Sequence, residues 1–105
     1  QGGSDERRDF ALQRELERAA VLPLAIADLG ADAATLAAET AERCDGTYRA
    51  DVAAAAALAA GSAQAAAHLV EVNLAVREGD PLLIEARRSA EVAREAADRV
   101  LVPSR

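Results

Sequence analysis

Apolar and polar positions along the 105-residue chain recur every three to four residues, punctuated by Pro23, the segment Cys44-Asp45-Gly46-Thr47, Asp80-Pro81 and Pro103. That period and that punctuation predict four helices. The first runs from about Ser4 to Val21. Ser4 is a candidate N-cap, Asp5 and Glu6 fall in the first turn where the helix dipole favours acids, and Phe10, Leu12, Leu16, Ala19 and Ala20 form an apolar side. Pro23 is expected to end or kink this helix, because Leu22 before it is biased away from helical angles.

The second predicted helix begins at Pro23 and runs to about Arg43. Its stripe is Leu22, Ile26, Leu29, Ala33, Leu36, Thr40 and Cys44, with Asp28, Asp32, Glu39 and Glu42 off it, so the stripe is expected to be the buried face. Gly46 is expected to stop the helix in a left-handed cap. The third opens near Asp51, read as its N-cap, and continues to about Arg77. It carries almost no bulk from Ala53 to Ala67, and Gly61 inside it calls for a packing or site reason. The fourth has Asp80 as N-cap, Pro81 as first residue and Pro103 as stop, with a seam for another helix along Leu83, Ala86, Ala90, Ala93, Ala97 and Val100. Connections this short imply antiparallel neighbours. The expected architecture is all-α: one helical domain over residues 1–105, an antiparallel bundle of about four helices that dimerises through helix faces.

Composition supports that expectation and adds one consequence. Alanine supplies 29 residues, and only 24 apolar side chains are larger. Strand-favouring residues are scarce, which argues against a β domain, while 51 % apolar content argues against disorder. So few bulky side chains make a thin core for an isolated monomer, and burial against another chain is the expected remedy. Every one of the 12 basic residues is Arg, the net charge is −6, and no basic stripe is available for a nucleic acid. The stretch Val52 to Val76 is too interrupted by Gln64, His68, Glu71 and Asn73 to read as a membrane span. The start lacks the apolar segment of a signal peptide, and one cysteine allows no internal disulfide, so the cytoplasm is the expected location.

Five residues carry the candidate chemistry. His68 shares a helical stripe with Gly61, Gln64 and Glu71, which permits a His–Glu pair, but no metal-binding motif accompanies it and no metal is expected. Cys44 reads as a small core residue. Asp51 is either a helix cap or a carboxylate at the mouth of a small-residue cleft, poised for proton transfer. Arg49 is either a solvated loop residue or the partner of an anionic ligand. Asn73, polar among Val70 to Val76, is either an inter-helix lock or a site residue.

Val21-Leu22-Pro23-Leu24, then Cys44, Asp51 seven residues on, the alanine-rich helix and Val72-Asn73-Leu74 resemble the cyclodeaminase/methenyltetrahydrofolate cyclohydrolase family, which includes the carboxyl-terminal domain of formiminotransferase-cyclodeaminase. The resemblance spans about Leu12 to Leu101. It implies an all-helical dimeric fold and one-carbon chemistry on a tetrahydrofolate derivative, which is substrate and not a tightly bound cofactor. Asp51 falls on the motif aspartate and is the implied catalytic residue, and Asn73 falls on the Asn of the family's Ile-Asn-Leu; with Arg49, taken from the residue reading above, Asn73 is a candidate substrate-binding residue.

Departures accompany the match. The family's Cys-Asn is Cys44-Asp45, its Ser before Asp is Ala50, a glycine late in the central helix is Ala65, and an Asn four residues later is Leu69. Its Gly-rich amino-terminal motif has no counterpart here, so the chain is expected to be the carboxyl-terminal part of such a domain, with the site completed by another chain or segment. The preferred reading is a cyclodeaminase- or cyclohydrolase-like enzyme. The alternative is a non-catalytic interaction module that self-associates through the Leu83-to-Val100 seam.

Overall fold

The structure, a computed structural model, describes residues 2–74 and 78–101. The Ser4 side chain, Val76 and Arg77 at the end of the third predicted helix, and Pro103 lie outside what it describes. The described residues form three helices: α1 (Gly2–Arg43), α2 (Gly46–Leu74) and α3 (Pro81–Leu101). The all-α expectation holds, with three helices in place of four.

The difference arises at Pro23, which α1 passes through without a break. Proline removes the N–H that would bond the carbonyl four residues back, here Ala19. Asn73, near the end of α2, donates its Nδ2 to that carbonyl at 3.3 Å. The lost helical bond is thus replaced from a neighbouring helix, and the two predicted segments join into one helix of 42 residues.

Both connections are set by aspartates. The Thr47 amide donates to Asp45 Oδ1 at 2.9 Å and the Tyr48 amide to the Asp45 carbonyl at 3.0 Å, so Asp45 caps α2. This corrects two expectations. Asp51 lies inside α2 and not at its N-cap, and Gly46 is its first residue and not a left-handed stop. At the other turn Gly79 takes φ +89°, and Asp80 caps α3 as the sequence predicts, accepting from the Leu82 amide at 2.9 Å. Arg87 closes this end, reaching Glu78 at 2.9 Å and Glu71 of α2 at 3.5 Å.

Each helix packs on the other two. One buried cluster joins Ala31, Ala34, Ala38 and Ala41 of α1 to Ala56, Ala60 and Ala63 of α2 and to the second half of α3. A second joins Ala20 to Val70, Leu74, Leu83 and Ala86. Of the 19 buried apolar residues described, 15 are alanine, so the core is built by close approach of helix backbones and not by bulk. Gly30 marks the tightest point: a Cβ there would sit 2.9 Å from both the Ala59 carbonyl oxygen and the Ala63 Cβ. Gly61 is exposed with nothing within 4 Å of such an atom, and nothing in the structure explains it.

One face is therefore reversed relative to the sequence reading, and another finds its partners within the chain. The Leu22-to-Thr40 stripe, expected to be buried, faces outward: Leu22, Leu29 and Leu36 are 64 to 68 % exposed. The Leu83-to-Val100 seam meets other helices as expected, and they are α1 and α2 of the same chain, with Ala90 half-buried, so it is not the free surface that the interaction-module alternative required. Periodicity locates a stripe but does not say which of two stripes faces inward. On α1 the alanine stripe wins, because alanine lets α2 and α3 come close along its length. The molecule is long and narrow, 67 × 20 × 14 Å, and residues 5–15 of α1 are exposed throughout. By length and composition alone, both α1 and α2 are long and apolar enough to cross a membrane.

Candidate functional site

Between α1 and α2 lies a shallow open groove of about 350 Å³. Ala33, Leu36, Ala37 and Thr40 form its α1 wall, and Asp51, Val52 and Ala55 its α2 wall. The alanines make the space: larger residues at 33, 37 and 55 would fill it. Asp51 is the one titratable group on its walls, and its carboxylate is exposed. The other polar side chain, Thr40, donates its hydroxyl to the Leu36 carbonyl at 2.8 Å, so its donor is committed within α1. Of the two readings of Asp51, the position in α2 removes the cap and leaves a carboxylate beside a small-residue cleft.

Arg49 lies two residues earlier and is half-buried, but its guanidinium is not in the groove wall. Nη1 donates to the Ala41 carbonyl at 2.9 Å, one of the last-turn carbonyls of α1 that have no helical donor. A cation at the negative end of a helix is favourable, so Arg49 ties the start of α2 to the end of α1. Cys44 Sγ, half-buried, lies 3.8 Å from the same oxygen. Asn73 is 22 residues from Asp51 along α2, roughly 33 Å at the helical rise, and is engaged with Ala19. Of these residues the structure brings only Asp51 to the groove; the Arg49 guanidinium is held at the end of α1 and Asn73 lies far along α2.

The remaining candidates are placed elsewhere. His68 is exposed on α2, and Glu71, its possible partner, pairs with Arg87. Asp45 has the N-cap role, and the Thr47 amide, with its side chain, holds its carboxyl below the usual range. Asn is equally suited to that cap, so the departure at Asp45 preserves the local structure. Ala50, Ala65 and Leu69 are all exposed and outside the groove walls. Among the described residues no three His, Cys, Asp or Glu side chains converge as metal ligands.

Sequence reasoning missed the α1 half of the groove. Ala33, Leu36 and Thr40 were read as core, and the signal that could have placed them outside is their spacing, which leaves the neighbouring stripe Ala31, Ala34, Ala38 and Ala41 to pack instead. Chemically, a single carboxylate at the edge of an apolar slot can hold a cationic centre close and relay a proton, while the alanine walls accept a flat apolar body.

A family model described as Formiminotransferase-cyclodeaminase matches residues 3–97. No curated protein and no solved structure matches the chain.

Proposed function

The chain therefore belongs to the formiminotransferase-cyclodeaminase family, matching its carboxyl-terminal domain, and from that premise we propose that it acts on C–N bonds of a one-carbon-substituted tetrahydrofolate or a related substrate. The observation that carries the reading is the placement of Asp51 in the α1–α2 groove. In a cyclodeaminase-like reaction, N10 of the substrate attacks the formimino carbon, a proton passes to the departing nitrogen, and ammonia leaves as the methenyl bridge forms. In a cyclohydrolase-like reaction, water attacks the bridging carbon and one C–N bond opens. The first reaction develops positive charge at the one-carbon unit and the second starts from a bridge that already carries it, and the Asp51 carboxylate supplies the opposing charge and the proton relay.

Arg49 supports this reading as the nearest cation in sequence, able to meet an anionic part of the substrate once it leaves the Ala41 carbonyl. Asn73 enters only as a structural lock. One carboxylate is a sparse site, so a second chain or segment completes it. The folate is substrate, no metal or resident cofactor is invoked, and the reaction is placed in the cytoplasm.

The test is turnover of formimino- and methenyltetrahydrofolate by the chain and by Asp51→Asn. Loss of turnover at unchanged helicity supports the assignment; equal turnover by the variant removes Asp51 from the mechanism. One observation favours a second reading, a non-catalytic interaction module: the groove walls offer no acid or base besides Asp51. That reading expects no tetrahydrofolate binding by calorimetry.

A further inference from the structure

Tyr48 stands one helical turn before the α2 wall of the groove. Stepping back from Ala55 by three and then four residues gives Val52 and Tyr48, so the three run along one line of α2. Asp51 is three residues on from Tyr48, the spacing at which side chains are neighbours on a helix, with Cβ atoms about 5–6 Å apart. Helical side chains lean towards the helix N-terminus, so the Asp51 carboxylate leans over the turn that carries Tyr48. The backbone of that turn is pinned. The Tyr48 amide donates to the Asp45 carbonyl at 3.0 Å, and Arg49 Nη1 ties the same turn to the Ala41 carbonyl. The Tyr48 side chain is not pinned: it is 61 % exposed, and among the described residues its ring and hydroxyl make no hydrogen bond or ring contact.

We propose that Tyr48 is a substrate-binding residue of this groove, its ring closing the end next to the α1–α2 connection and lying against a flat ligand whose positive charge faces Asp51. The inference rests on the folate reading above and adds to it a residue and the ligand class that residue selects. The groove itself supplies the reason. Its walls are methyl and methylene groups apart from Asp51 and Thr40, and the Thr40 hydroxyl is committed to the Leu36 carbonyl. A shallow slot of that kind grips the edge of a flat ligand and leaves one of its faces in water. An aromatic ring at the end of the slot covers that face.

The charge of the ligand gives the ring a second use. The face of an aromatic ring is electrostatically negative and attracts a cation within about 6 Å of its centre. Ring and carboxylate, one turn apart, therefore act on the same positive centre, one by its face and the other by its charge. No other ring in the chain has that placement: there is no Trp, and the one Phe, Phe10, lies in the exposed first part of α1 with the Arg14 guanidinium 6.0 Å from its centre. The start of α2 has no structural call on Tyr48, since Asp45 already caps the helix. What is fixed is the backbone that aims the ring, and what is free is the ring that a ligand would order.

The experiment titrates the full chain with methenyltetrahydrofolate, whose bridge is cationic, by calorimetry and by tyrosine emission. Tyr48 is the only tyrosine and no tryptophan masks it, so the emission reports this one ring. The expected result is saturable quenching, beyond that of free tyrosine at the same absorbance, with the Kd that calorimetry gives. Tyr48→Ala should raise that Kd about tenfold, and KM with it, while kcat changes less. Tyr48→Phe keeps the ring and should stay within about twofold of the parent. Should Tyr48→Ala fail to fold, the quenching of the parent and the Tyr48→Phe affinity decide the matter. Binding that Tyr48→Ala leaves unchanged, or that does not quench Tyr48, overturns the proposal and leaves the folate reading standing. A Tyr48→Phe chain as weak as Tyr48→Ala overturns the role of the ring face. No binding by the parent chain removes the folate reading and this inference with it.

Discussion

Asn73 Nδ2 lies 3.3 Å from the carbonyl of Ala19, the one carbonyl in α1 that Pro23 deprives of its helical donor. The two features explain each other. A proline in mid-helix is tolerated because an amide on the neighbouring helix replaces what it removes, and a polar residue among apolar ones has an acceptor waiting for it.

The pairing predicts coupled stabilities. Asn73→Ala should cost about 1 kcal/mol, since it removes the hydrogen bond that ties α2 to the Ala19 carbonyl. Pro23→Ala restores the backbone bond and should stabilise α1. In the Pro23→Ala background the cost of Asn73→Ala should fall towards zero, and urea unfolding of the four proteins in the cycle measures that coupling.

Two glycines in the bundle should respond oppositely. Gly30→Val forces its side chain against the Ala59 carbonyl and Ala63, and should destabilise by about 2 kcal/mol. Gly61→Ala meets nothing and improves helix propensity, so a gain of about 0.5–1 kcal/mol is expected. Thermal unfolding of both variants checks the pair.

A pH-dependent contribution is expected at the α1–α3 contact. A hydrogen bond with Asp28, and then repulsion from its charge, raise the Glu85 carboxyl above its ordinary range, with Arg88 pulling the other way. Ser89 Oγ also donates to Asp28 Oδ1, at 2.5 Å. A raised value in the folded chain means that the contribution is complete below the unfolded glutamate value, about 4.3, and is lost as pH rises through the folded one. Glu85→Gln keeps a donor at every pH. Its unfolding midpoint should lack the decline that Glu85 is expected to give the parent chain as pH rises, and should lie above the parent's at pH 7.

Much of the helix content was legible in the sequence, and α3 most of all, because Asp80 and Pro81 punctuate its start through local geometry alone. What failed depended on contacts between distant residues. Pro23 reads as a break until Asn73, fifty residues on, supplies a donor. Asp51 reads as a cap until Asp45 starts the helix earlier. The stripes of α1 could not be ranked from periodicity, since leucine outranks alanine for burial in general while alanine outranks it where three helices must touch closely. The same inversion divided the candidate site: Asp51 was found from its spacing, but the α1 wall opposite it was assigned to the core.

The alanine interior has a thermodynamic consequence of its own. Alanine has no rotatable side-chain torsion to freeze, so the buried faces of α1, α2 and α3 order on folding with almost no loss of side-chain rotational entropy. Smooth faces of this kind also interlock weakly along their length, and helices could slide past one another by a turn at small cost. The few directional contacts, Asn73 on Ala19, Ser89 on Asp28, Arg49 on Ala41 and Gly30 beneath Ala63, then act as a vernier, fixing the axial register that the core leaves free.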